Sequence, residues 1–386
     1  MKFSHLIISL STMFLLVAVS PAHSQCPPVY IFTGEAGDNL GRSVASAGDV
    51  NNDGFDDLIV GAFFNDAGGS SAGRAYVFSG QTGDTLYVFN GEAAGDQFGI
   101  SVSSAGDVNN DGYSYFIIGA PGQNSRAGRA YVFSGQTGDT LYVFTGEASS
   151  DIFSISASFA GDVNNDGFDD IIVGAYSNDA GGADAGRAYV FSGKTGDTLY
   201  IFTGEAAGDQ FGYTVNSAGD INGDSYDDVI VGAPFNDESG LDFGRVYVYS
   251  GRTGDTLITF SGDNSFDFFG ARVASAGDID SDGFSDIIVS AFTSDSGGTE
   301  SGRVYVYSGC DLSCCVGDRG DLNGDGNDAN ILDLTFAVDR IFRGGSASDC
   351  SEEADINDDG TPHNILDLTF LVDRIFRGGP APGPCN

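Results

Sequence analysis

The chain has 386 residues, with 16 Lys or Arg against 55 Asp or Glu and a formal charge of −39. An acidic surface of that size excludes nucleic acid as the default partner, since phosphate binding needs basic side chains. A hydrophobic fraction of 41% with 30 Phe and 16 Tyr also excludes a solvated acidic polymer. Only eight of the acids are Glu; abundant Asp beside 58 Gly reads as tight loops and oxygen ligands for calcium. Of three histidines, His5 and His23 lie in a leader, so chemistry centred on His or on His-bound zinc is excluded early.

Residues 1–24 read as a signal peptide. Lys2 gives the positive start, Leu6 to Val19 is an apolar run short for a bilayer, and Ala22 and Ser24 supply small residues before a cut. No later segment reaches membrane length. The mature chain is therefore expected to be secreted or displayed at the cell surface, with its six cysteines oxidised.

Residues 25–310 are organised by a repeat. Gly48-Asp49 recurs as Gly106-Asp107, Gly161-Asp162, Gly219-Asp220 and Gly277-Asp278, at spacings of 58, 55, 58 and 58 residues. Each unit carries four short β-like runs; in the first they are Ser43 to Ser46, Leu58 to Ala62, Arg74 to Phe78 and Leu86 to Phe89. Four short strands per repeat predict an all-β five-bladed β-propeller. The fifth unit has three runs, and its fourth is expected from the N-terminus, where Val29 to Glu35 matches Leu141 to Glu147. The alternative is an open five-unit arc that needs a partner. Aligned on the hairpin of the first unit, Cys26 and Cys310 fall two residues apart, which predicts a disulfide clasp replacing the turn that the last blade lacks.

The loop after each first strand has calcium-loop spacing, with alternate oxygens and a closing carboxylate. The sets are Asp49, Asn51, Asp53 and Asp57; Asp162, Asn164, Asp166 and Asp170; Asp220, Asn222, Asp224 and Asp228; and Asp278, Asp280, Asp282 and Asp286. The second loop keeps Asp107, Asn109 and Asp111 but has Tyr115 at the closing position, so it is expected to bind weakest and the all-carboxylate fifth tightest. On the opposite rim, the loops between second and third strands differ most among the units. Asp66, Asp179, Asp237 and Asp295 in them are predicted ligand contacts favouring cationic or metal-bridged partners.

These units resemble the FG-GAP repeat of integrin-α-type propellers. Phe98-Gly99, Phe211-Gly212 and Phe269-Gly270 match the first half of that name, whereas Leu40-Gly41 and Phe153-Ser154 depart from it. Gly119-Ala120-Pro121 and Gly232-Ala233-Pro234 match the second. The resemblance implies calcium-stabilised blades and adhesion or ligand binding, although the best-known members have seven blades.

After a linker at 311–317, residues 318–386 change period to 34. Gly320 to Gly326 recurs as Ala354 to Gly360, each loop followed by a helical run, Ile331 to Gly345 and Ile365 to Gly379. This tail resembles a dockerin, a small α-helical module of duplicated EF-hand-like loops. The matching ligands are Asp321, Asn323, Asp325 and Asp333, then Asp355, Asn357, Asp359 and Asp367. Each loop is one residue longer than the usual twelve, and apolar pairs precede the closing Asp, so calcium fits more readily than a cohesin-like partner. Cys314, Cys315, Cys350 and Cys385 are available as staples in an order the sequence leaves open.

His363, the remaining histidine, falls inside a calcium loop, where a cation opposes its protonation. The chain therefore reads as no enzyme but as a secreted, monomeric, calcium-binding adhesion or ligand-binding protein, with the propeller as platform for an extracellular protein or glycan and the tail as attachment module. The alternative is a non-catalytic glycan-binding component of an extracellular polysaccharide-degrading assembly.

Overall fold

The computed structural model describes residues 28–309 together with Val372. The chain divides into two compact units, Met1–Thr33 and Gly34–Asn386. The signal peptide, both cysteines of the expected clasp, the four tail cysteines and the dockerin-like loops all lie outside the described residues.

Gly34 to Gly309 builds five antiparallel sheets with strands in sequence order, an all-β five-bladed propeller. In blade 1 the strands are Ser43–Gly48, Asp57–Ala62, Arg74–Phe78 and Thr85–Asn90, each within two residues of the sequence expectation. The period-two pattern is obeyed across the blade faces. Ile59, Ala75 and Val77 point one way into a core shared with Phe116, Ile118, Tyr131 and Phe133 of blade 2. Equivalent cores join blades 2 and 3, 3 and 4, and 4 and 5. Each is bolted by an aromatic pair between the outer strand of one blade and the third strand of the next: Phe89–Phe133 at 4.3 Å, Phe144–Phe191 at 4.0 Å, Phe202–Tyr249 and Phe260–Tyr307 at 3.9 Å. The Phe of the Phe-Gly pair is also structural. Phe98, Phe153, Phe211 and Phe269 are buried edge-on against Tyr131, Tyr189, Tyr247 and Tyr305.

An acidic residue in the linker between blades pairs with the arginine that opens the next blade's third strand. The pairs are Glu92–Arg129 at 3.7 Å, Glu147–Arg187 at 2.8 Å, Glu205–Arg245 at 3.3 Å and Asp263–Arg303 at 2.6 Å. Glu35 reaches Arg74 at 3.9 Å in the same relation, although no blade precedes it in sequence.

One expectation is corrected. The last sheet has three strands, Arg272–Gly277, Asp286–Ala291 and Arg303–Tyr307, and residues 28–33 form no strand. In blades 1 to 4 a short hairpin delivers the fourth strand to the edge of the third. Val29 to Glu35 has no such turn and must find its edge through closure of a loop of hundreds of residues, which costs entropy that a hairpin avoids. The packing of blades accordingly runs from 1 to 5 and stops. Val77, Val132, Val190 and Val248 are 0% exposed, whereas Val304 and Val306 of blade 5 are 61% and 49% exposed.

Candidate metal loops and binding rim

The first strand of each blade lines the central channel and ends in a bulge at a glycine with positive φ. In blade 1 the register shifts between the Ser46–Leu58 and Gly48–Asp57 pairs, and Gly48, at φ 71°, turns Asp49 out of the sheet into the loop. There its carboxylate accepts the N–H groups of Asp53 at 3.0 Å and Gly54 at 2.8 Å, while the Asn51 Oδ1 accepts Asp53 N–H at 2.9 Å. Backbone donors thus gather three side-chain oxygens around one point. The same hydrogen bonds recur for Asp107, Asp220 and Asp278. Position 54 needs the left-handed region, and Ser225, which replaces glycine in blade 4, adopts it at φ 68°.

The closing aspartates are fully buried and do two jobs. Asp57 accepts Val50 N–H at 3.0 Å from its own loop and Gly80 N–H at 2.9 Å from the hairpin between third and fourth strands. Asp170, Asp228 and Asp286 repeat both bonds. Loop and hairpin therefore share one rim, latched by a carboxylate. Burial pushes Asp170 up to about 7 and Asp228 up to about 8, against backbone N–H bonds that pull the other way. At Asp286 the N–H bonds from Ile279 and Gly309 outweigh desolvation and hold the carboxyl low.

Two features fit a hard cation. The Oδ1 of Asn164, a predicted ligand in blade 3, is buried without any hydrogen-bond partner, an orphaned acceptor that a cation would satisfy. In blade 5, oxygens of Asp278, Asp280 and Asp286 lie within 4.8 Å of one another. The Ser308 hydroxyl lies between two of the loop carboxylates, 3.0 Å from Asp280 and 3.2 Å from Asp282, and shares its one hydrogen between them. Blade 2 differs. The Tyr115 hydroxyl accepts the Asn109 amide at 2.6 Å and donates to Asp111 at 3.3 Å, closing the loop with a neutral group.

Sequence reasoning missed a second set of carboxylates. Asp169 of blade 3 accepts the N–H of Asp107 in blade 2 at 2.9 Å, and Asp227 of blade 4 accepts that of Asp162 in blade 3 at 2.9 Å. Desolvation raises both. The available signal was the pairing Asp169-Asp170 and Asp227-Asp228. Lys194 was missed as well: its ammonium stands 3.8 Å from Asp166 and over the Phe168 ring.

On the opposite rim, Asp66, Asp179, Asp237 and Asp295 are exposed, one per blade in all but blade 2. Each also shapes its loop by accepting the N–H five residues on, at 2.8, 2.9, 2.7 and 2.6 Å. The structure gives them this loop-forming role and does not gather them into one cluster. An arc of rings spans the same rim: Tyr176–Tyr213 at 5.5 Å, Tyr213–Phe235 at 6.1 Å, Phe235–Phe268 at 5.1 Å and Phe268–Phe292 at 5.9 Å.

Comparison with known proteins matches the FG-GAP repeat to residues 40–78, 98–133, 154–191, 211–249 and 269–307. Integrin alpha-5 of Xenopus laevis is 31% identical over 234 residues, 56% of this chain and 22% of that protein. Integrin alpha-3 of Cricetulus griseus is 32% identical over 195 residues, 43% of this chain and 18% of that protein. The chain thus aligns with under a quarter of the length of either relative. Among solved structures, the Dos1 propeller aligns over 69% of this chain and 55% of that chain, at 16% identity and a TM-score of 0.41.

Proposed function

Residues 40–307 form an FG-GAP-repeat β-propeller, and from that premise we propose that the chain is an exported, non-enzymatic, calcium-dependent ligand-binding protein. The observation that carries the reading is the separation of the rims: one repeats a metal-loop geometry blade after blade, the other presents loops that differ from blade to blade. Asp162, Asn164, Asp166 and Asp170 would hold one ion, and their counterparts in blades 1, 4 and 5 the others. A bound cation would neutralise the gathered carboxylates and satisfy the Asn164 carbonyl. The buried latch aspartates then hold each loop to its hairpin, so the metal rim stiffens the strands on which the opposite loops are mounted. Those loops, with Asp66, Asp179, Asp237, Asp295 and the aromatic arc, form the platform for an extracellular ligand. The dockerin-like tail is the attachment module in this reading, with its own calcium loops at Asp321 and Asp355.

A binding screen of the full chain against extracellular proteins and a glycan array, in calcium and in chelator, tests it. Calcium-dependent capture that weakens when all four rim aspartates become Asn supports the platform. Asn retains the Oδ1 that caps each loop, so the change removes charge and keeps the fold. Capture indifferent to chelator and to the four changes would refute it.

A further inference from the structure

The channel between the first strands contains a cavity of about 490 Å³, the size range of small-ligand sites. In a chain with more than three acids for every base, none of its lining residues is acidic. The charged groups on it are Arg42, at the start of the first strand of blade 1, and Arg272, at the start of that of blade 5. Both stand at the mouth on the variable-loop rim. Neither is held by a carboxylate. Arg74, Arg129, Arg187, Lys194, Arg245 and Arg303 each have a carboxylate within reach, whereas among the described residues no ion pair involves Arg42, Arg126, Arg252 or Arg272, and of these four only Arg42 and Arg272 line the cavity. Arg272 is instead steadied over the Tyr213 ring at 6.0 Å and donates to the Ala271 carbonyl at 2.6 Å.

Below the mouth the wall alternates serines with aliphatic residues such as Val44, Ile100 and Ile155. The Ser43 Oγ accepts Val102 N–H at 2.9 Å and the Ser156 Oγ accepts Val215 N–H at 3.1 Å, so both hydroxyl hydrogens remain to be donated elsewhere. Asn216, also on the wall, adds an amide that donates and accepts. We propose that this channel mouth binds a short acidic oligosaccharide, the two guanidiniums taking a sugar carboxylate and the hydroxyl and amide wall taking ring hydroxyls. A lone acidic side chain would use the arginines and leave the wall unmatched. The overall negative charge does not forbid this, because at physiological ionic strength charges beyond about 8 Å are screened and the local guanidiniums dominate. The site goes beyond the platform reading: it lies in the channel, takes the opposite charge from the rim aspartates and needs no metal at the ligand.

Titration calorimetry of the calcium-loaded full chain with a hexuronate trimer, the neutral hexose trimer of the same linkage and sodium acetate tests the proposal. The uronate trimer is expected to bind, and Arg42→Gln and Arg272→Gln each to weaken it about tenfold or more, as loss of a charge-assisted hydrogen bond does. Arg272→Lys recovers part of the loss, and Arg252→Gln, at the opposite rim over Tyr226, changes nothing. Equal binding of the neutral trimer or of acetate would overturn the sugar-acid assignment. Uronate binding untouched by either Gln variant would place the ligand elsewhere and overturn the site. The platform reading is judged separately, by the four rim aspartates.

Discussion

The loops of blades 4 and 2 begin alike and close differently. Both gather an Asp-x-Asn-x-Asp run around backbone N–H donors, but one ends on Asp228, buried with its carboxyl pushed to about 8, and the other on Tyr115, a buried phenol. Blade 4 keeps a carboxylate where ionisation is costly, a cost that a cation bound nearby would relieve. Blade 2 meets the same two loop side chains, Asn109 and Asp111, with a neutral hydroxyl. In the metal-binding reading the closing residue sets whether a loop calls for a cation, and either kind ties the loop to its hairpin, Asp228 through Gly251 N–H and Tyr115 through Ser134.

The sharpest way to break this contrast is Asp228→Ala, which strands the buried N–H groups of Ile221 and Gly251. Each orphaned donor costs about 1–3 kcal/mol, so a fall in Tm on the order of 10 °C is expected in differential scanning calorimetry. Tyr115→Phe should cost less than half as much, since it removes one exchangeable pair of side-chain contacts. Equal losses would show that the two closures do the same work.

A pH series in chelator reads the same difference through ionisation. Asp170 and Asp228 have folded-state values raised to about 7 and about 8 from an ordinary 3.8. Their contribution is therefore complete below the unfolded value and is lost as pH rises through 7 and 8. Each tenfold change in proton affinity between the folded and unfolded chain is worth about 1.4 kcal/mol, so the pair amounts to several kcal/mol. Asp286, held low, works in the opposite sense and only at acidic pH. Metal-free Tm should fall between pH 5 and 8.5, and calcium should flatten the fall. A metal-free Tm that rises with pH across that window contradicts the assignment.

Tyr115→Asp should convert blade 2 into its neighbours' kind. The expected result is one additional calcium equivalent per chain in calorimetric titration, with a destabilised metal-free state. An unchanged stoichiometry would mean that the first three ligands of blade 2 are misplaced. The smallest effect is expected at blade 3, where Lys194 stands beside Asp166. Lys194→Gln removes a competing charge and should tighten that site by a few-fold, as exposed pairs of this kind are worth about 1 kcal/mol or less. Weaker binding in the variant would show the lysine to be supporting the loop.

The strands and loops were legible because both rest on local rules. Period-two alternation marks a sheet face, and Asp at alternate positions before a glycine marks an oxygen-lined turn; Tyr115 stood out as the break in that spacing. What depends on blade meeting blade was not legible. Nothing in Asp169-Asp170 tells which carboxylate crosses to the next blade, and nothing in Arg42 or Arg272 tells that both line one cavity. The rim aspartates were read as ligand contacts because they are exposed, yet their spacing to the N–H five residues on also makes them loop formers. The N-terminal segment shows the limit most plainly. Tyr30 to Ala36 is identical to Tyr200 to Ala206, but the latter reaches its edge through a covalent hairpin and the former has none. Likeness of residues fixes what a segment prefers to be, and connectivity decides whether it gets there.

Thermal melting of the full chain at pH 7.5, in millimolar calcium and in excess chelator, tests the metal-held rim most directly. Several sites saturated well above their dissociation constants each add a few kcal/mol to the folded state, so the propeller transition should fall by about 10 °C or more in chelator and return when calcium is restored. A propeller transition that stays where it was would contradict it.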